Sequence, residues 1–244
     1  MCNYSNHVST SQYNFDASLH NIPEAVSFFG KLDQQVQDMA KHLYELPDFT
    51  ARVPFYFVAT FLRISQRQMR NGFILLLRRM SYDAMLVFRV GLEASVFAYR
   101  IFKRPELVEI WARKNDGRKD WKKFSKEFRR TPFPEDMPFA TAIRRQLDLL
   151  NDYWAHPNIN YFSRAVKSGN TETLVYFFDH DNTTFCMILL LFLDSCLKIL
   201  ACYRKMLEPE FRVFITSTES DYRRLTKEFE RLKDAYRRRW GSIE

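Results

Sequence analysis

Apolar residues recur every three or four positions along most of this chain, the period of one buried face of an α-helix. From Pro23 to Glu45 they are Val26, Phe29, Leu32, Val36, Met39 and Leu43, a stripe that predicts an amphipathic helix opened by its proline. "LPDF" (46–49) breaks it. A second helix is predicted from Pro54 through "FYFVATFLRISQRQM", with Asn71-Gly72 as one stopping point and Arg79 as another. "SYDAMLVFRVGLEASVFAYRIF" (81–102) is apolar on every side, through Met85, Leu86, Phe88, Val90, Leu92, Val96 and Phe97. Such a helix belongs in a core. Gly91 costs that helix roughly 1 kcal/mol against Ala, which a close crossing by a neighbour explains. Beyond Arg104-Pro105 a basic segment carries Trp111, Trp121, Phe124 and Phe128, with a break at Asn115-Asp116-Gly117. "TPFPEDMP" (131–138) connects it to a helix running from about Phe139 to Trp154 or His156.

The period then changes. "INYFSRAV" and "TETLVYFFD" flank "KSGN" (167–170), and aromatic and β-branched residues around such a turn predict a β-hairpin near 159–179. A long apolar helix follows over 183–207. The last helix has a seam of Tyr222, Leu225, Phe229, Leu232, Tyr236 and Trp240, expected to pack within the chain, and Thr218 with Asp221 resembles a capping box. Residues 1–21 are polar and are expected to be a disordered or loosely ordered tail. The expected fold is mainly α: one domain over 22–244, a bundle of about six to seven helices with one β-hairpin insertion. Its expected central layer is 82–102, 139–155 and 183–207.

With 46% hydrophobic residues in 244, the chain can bury one sizeable core. Gly is scarce at 6 and there is no P-loop, GxGxxG, GxSxG or HExxH, which argues against the common nucleotide-dependent and zinc-dependent enzymes. Cys2, Cys186, Cys196 and Cys202 form no C-x-x-C pair and read as reduced thiols of a cytoplasmic protein. "FCMILLLFLDSCLKILA" (185–201) is short for a membrane span and is interrupted by Asp194 and Lys198. A core helix of a soluble protein with no membrane partner is the expectation. In "FDHDNTT" (178–184), Asp179, His180 and Asp181 hold groups that metals use, but Asp181 or Asn182 is well placed to cap the following helix. No metal and no cofactor are expected.

The net charge of +8 is unevenly spread: Arg100 to Arg130 contains 12 Lys or Arg against 5 acids. Arg118, Lys119, Lys122, Lys123, Lys126, Arg129 and Arg130 are candidate nucleic-acid contacts, since cations neutralise phosphates and the interleaved aromatics can stack on bases. A helix pair with aromatics inside and charges in water has the same pattern, and the interspersed acids favour it. Arg89 and Glu93 lie one turn apart on the most apolar helix. Either they line a pocket in which Arg89 binds an anion and Glu93 orients it, or they tie helices in register.

"LLNDYWAHPNINYF" (149–162) resembles the signature region of HEPN-like helical families, in which an Arg, often followed by Asn or another polar residue, precedes a His by four to six positions. Active members are metal-independent ribonucleases, usually dimeric, and common in toxin–antitoxin, abortive-infection and CRISPR-associated systems. The resemblance places the motif's Asn at Asn151 and its His at His156, with Leu150 where the Arg belongs. The Arg supplies a fixed charge for the scissile phosphate and the His helps to activate or orient the attacking hydroxyl. Leu150 can do neither, and Arg145, roughly 16 Å from His156 along a helix, cannot replace it. "ILLLRRMSYDAMLVFRVGLEA" (74–94) also resembles an uncharacterised bacterial family in which an Arg-and-Glu helix precedes a His-Pro element. What the resemblance implies is an RNA-binding or protein-binding member without the standard catalytic Arg, in a defence setting, with a homodimer as its assembly. The alternatives are an atypical metal-independent ribonuclease with His156, Arg89 and Glu93 as its catalytic pocket, and an interaction module with no nucleic-acid role. His156 has an ordinary use beside these, because a His before Pro157 suits the end of a helix.

Overall fold

A computed structural model describes residues 4–49, 51–153, 166–168, 173–175 and 182–240. The chain is mainly helical. Ten α-helices occur among the described residues: α1 Tyr4–Asn21, α2 Pro23–Tyr44, α3 Val53–Leu77, α4 Ser81–Lys103, α5 Leu107–Ala112, α6 Arg118–Phe124, α7 Ala140–Tyr153, α8 Asn182–Leu207, α9 Arg212–Ser217 and α10 Glu219–Trp240. A π-helical turn, Ser125–Arg130, continues α6 without a break. The count exceeds the expected six to seven because α5, α6 and α9 are two turns or shorter, too brief to show a period, and because α1 was read as a tail.

The core is built where α3, α4 and α8 meet. Phe192 of α8 lies against Phe88 of α4, centroids 4.5 Å apart, and against Phe73 of α3 at 6.3 Å. Gly72 makes this approach possible: a Cβ there would sit 2.8 Å from Phe192 Cε2 and 3.2 Å from the Ala84 carbonyl oxygen. Asn71-Gly72 is therefore a crossing point and no helix stop. Gly91 does the same one crossing further on, where a Cβ would lie 3.2 Å from Gln68 Cβ. There Ser65 Oγ donates to Gly91 O at 2.9 Å and shares a hydrogen bond with Tyr203 OH at 3.1 Å, so the buried hydroxyls are satisfied. The α3–α4 turn is closed by Arg79 in the left-handed region (φ 61°), with Arg79 N–H donating to Leu76 O and Met80 N–H to Leu75 O.

The glycines make a prediction of sign. Gly30→Ala in α2, where an added Cβ meets nothing within 4 Å, should stabilise the protein by roughly 0.5–1 kcal/mol. Gly72→Ala should destabilise it by about 1–2 kcal/mol despite the same gain in helix propensity, because Phe192 has to move. Urea unfolding midpoints of the two variants would show it, and equal shifts would contradict this crossing.

The expected central layer needs one correction. Helix α7 buries only one face, through Ile143, Gln146 and Leu150, and α3 takes the central place beside α4 and α8. Helix α8 is long and apolar enough to cross a membrane by length and composition, and most of it is buried in the bundle. Helix α10 docks its seam within the chain: Phe229 lies 5.5 Å from Phe28 of α2, and Leu225, Leu232 and Tyr236 are buried. The capping box is not formed. Thr218 Oγ1 instead donates back to Phe214 O and accepts from Arg204. Val166–Ser168 and Thr173–Val175 pair antiparallel, with Lys167 opposite Leu174. Pairing among the described residues stops at these six, and the rest of the hairpin expected over 159–179 lies outside them.

Residues 4–21 are helical, which corrects the tail reading. The pattern was deceptive because α1 faces the bundle with His7, Ser11, Asn14, Phe15 and Ser18, while Val8, Leu19 and the 72% exposed Tyr13 face water. Among the described side chains of α1, Phe15 is the one large apolar group packed on the core. Ser18 Oγ is buried with no hydrogen-bond partner, a cost of roughly 1–3 kcal/mol against docking. Amides of α1 should consequently exchange with solvent at least tenfold faster than those of α2 to α4 in hydrogen-exchange mass spectrometry. Uniform protection across α1 to α4 would refute this.

Candidate functional site

The basic segment is fastened from beneath. Phe124 and Phe128 stack on each other at 5.2 Å, and both meet the edge of Phe97 of α4, at 6.1 and 5.1 Å. Arg100 of α4 donates to Thr131 O and Pro132 O at 3.1 and 2.9 Å, holding the exit of the π turn. Trp111 of α5 packs edge-on against Phe57 and Phe61 of α3. Its face is covered by Lys114, whose pKa burial pushes down. These aromatics belong to the core, as the bland reading of the pattern held.

The charges lie in water, as that reading also has it, but they are unevenly partnered. Four of the five acids between positions 100 and 130 form ion pairs with two arginines. Arg104 binds Glu106 at 2.8 Å and Glu127 at 3.1 Å, and the Arg104 guanidinium holds the Glu106 carboxyl below its ordinary range. Arg113 contacts Glu109 at 3.5 Å and Asp116 at 3.4 Å, and nearby Asp120, ahead of those two, raises its pKa. Neither arginine is among the seven candidate contacts. Arg118, Lys119, Lys122, Lys123, Lys126, Arg129 and Arg130 are all exposed, and none takes part in an ion pair among the described residues. The interspersed acids thus leave seven unneutralised cations within thirteen residues. Trp121 lies among them, 41% exposed, with the Arg129 guanidinium 5.0 Å from its ring centroid.

The other candidates fare differently. Arg89 and Glu93 bond to each other at 2.8 Å along their own helix, and their side chains are 34% and 36% exposed. Such a half-exposed pair typically contributes less than about 1 kcal/mol, and it ties no second helix among the described residues. The pair lies at the edge of the apolar face of α4, with Met85, Leu92 and Val96 buried on one side and Val90 exposed on the other. Leu150, in the place of the motif's Arg, is fully buried in the core. His156, with Asp179, His180 and Asp181, lies outside the described residues. No group of three or more metal-ligating side chains occurs among those described. Cys196 and Cys202 of α8 are buried, which pushes the Cys202 thiol up to about 12 and the Cys196 thiol well above its ordinary value. Neither is an activated nucleophile.

Two features escaped the sequence reading. An open groove of about 470 Å³ runs between α2 and α10, past Gly30, Gln34, Asp38 and Asp221, and is bridged by Lys31 and Glu228 at 2.6 Å. The π-helical turn at Ser125–Arg130 is the second, and no residue pattern marks such a turn in advance. Comparison with known proteins finds no matching family model, no matching curated protein and no matching solved structure.

Proposed function

We propose that this protein binds RNA through the outer face of α6 and the π turn, as a HEPN-like protein without the standard catalytic pair. The observation that carries this is that Arg104 and Arg113 take four of the five local acids into ion pairs, which leaves seven exposed cations that no ion pair among the described residues engages. Such a face gains affinity by releasing counterions from a phosphate backbone. Burial of Leu150 supports binding without cleavage, since a phosphate cannot reach that position and no cation stands there. Arg89 already has Glu93 as its partner, so the ribonuclease alternative would have to break that pair. Anisotropy of labelled RNA measures the proposal directly. Binding should be present at about 50 mM salt and fall steeply toward 200 mM, with the RNA intact after incubation. Absent or salt-insensitive binding rules out this face, and cleavage lost in His156→Ala would restore the ribonuclease alternative.

A further inference from the structure

Trp121 is placed where a core residue would not be. Phe124 and Phe128 already fill the contact with Phe97, and Trp121 reaches that cluster only through Phe124, at 5.4 Å. Among the described residues, the other tryptophans, Trp111 and Trp240, pack against the core. In an unbroken α-helix, positions 121 and 129 stand eight residues, roughly 12 Å, apart along the axis. Here the segment passes through the π turn, whose wider i→i+5 spacing is mirrored by Thr131 Oγ1 donating to Lys126 O at 2.7 Å. Across that turn the Arg129 guanidinium lies over the Trp121 ring, within the range of a cation–π contact. Neither cation flanking Trp121 on the same turn, Arg118 or Lys122, is in an ion pair. Such π turns are frequent at functional sites.

Resting on the RNA-binding reading above, we infer that Trp121 and Arg129 form a stacking platform that selects an unpaired base. An exposed indole and a planar guanidinium both accept a base face, and a single strand offers that face where a duplex hides it. The surrounding lysines hold the backbone on either side without reading sequence. The platform is thus the specificity element of a face whose affinity is otherwise electrostatic.

The test compares a 12-nucleotide single-stranded RNA with the same sequence as a duplex, by anisotropy at fixed salt, on the full chain. Trp121→Ala should weaken single-strand binding by tenfold or more, about the worth of one base–aromatic stack, and change duplex binding by less than about twofold. Trp121→Phe should recover most of the loss, and indole fluorescence should be quenched by the single strand. Lys122→Gln with Lys123→Gln should weaken both forms and flatten the salt dependence, which Trp121→Ala leaves unchanged. Equal losses on both forms, or no loss, with a thermal midpoint matching the wild type, overturns the platform while the RNA reading stands. No binding to either form sinks both.

Discussion

Arg204→Met should destabilise the protein by roughly 3 kcal/mol, the largest loss expected from a single substitution away from the aromatic core. Arg204 is 6% exposed and organises the chain beyond α8. Its guanidinium donates to Ile215 O at 3.0 Å, Thr218 Oγ1 at 2.9 Å and Glu219 at 2.9 Å, and lies 4.8 Å from the Tyr222 ring. Methionine fills the space of the stem and removes every donor, leaving the Ile215 carbonyl with only a 3.3 Å contact from the Thr218 hydroxyl and Glu219 with Arg223 alone. Arg204→Lys should lose about half as much, since one ammonium cannot reach all three acceptors. Urea unfolding with an unchanged slope would measure both.

The same variant has a pH signature. Hydrogen bonds from Arg223 first, and then Arg204, hold the Glu219 carboxyl below its ordinary 4.5. A carboxylate with a depressed folded pKa contributes stability above its unfolded pKa and loses it as pH falls through the folded one. The gap between wild type and Arg204→Met should therefore be full at neutral pH and narrow below about pH 4 as Glu219 takes up its proton. A gap independent of pH would mean that the carbonyl and hydroxyl contacts carry the whole effect.

Gly91 shows what was legible in the sequence: a glycine that breaks helix propensity inside an apolar run has to be repaid by packing, and Ser65 and Gln68 repay it. Gly72 carried the same signal, but its neighbour Asn71 made it look like a stop. Helix α1 was illegible because its inward seam is serine, histidine and asparagine, the composition of a solvated segment. Pairing of Arg89 with Glu93 followed from their spacing, whereas their exposure depended on which side of α4 its neighbours cover. The partners of the charges in the basic segment were not legible for a related reason. Glu109 and Arg113 lie four residues apart and were readable as a pair, but Arg104 and Glu127 are separated by 23 positions and meet only because α6 folds back on α4. Counting acids along the chain treated them as neutralising their neighbours. In space four of the five pair with two arginines at the base of the segment, and the outer face is left with seven cations that no ion pair among the described residues engages.

That separation sets the size of the last expected effect. If all seven cations meet phosphates of a single strand, log K should fall with log salt with a slope of about −5, close to a thousandfold loss between 50 and 200 mM. Each contact is then worth roughly fivefold at 0.1 M salt, so Lys122→Gln with Lys123→Gln should cost about 25-fold and make the slope shallower by about 1.4. Charge reversal of the pair to Glu should cost more, because the new carboxylates repel phosphates and can pair with the neighbouring free cations Arg118, Lys119 and Lys126. Both side chains are exposed and make no ion pair, so neither change should move the thermal midpoint by more than a degree or two. A shallow wild-type slope that the double substitution leaves unaltered would show that these cations merely solvate the helix, and the RNA contacts would have to be sought elsewhere on the molecule.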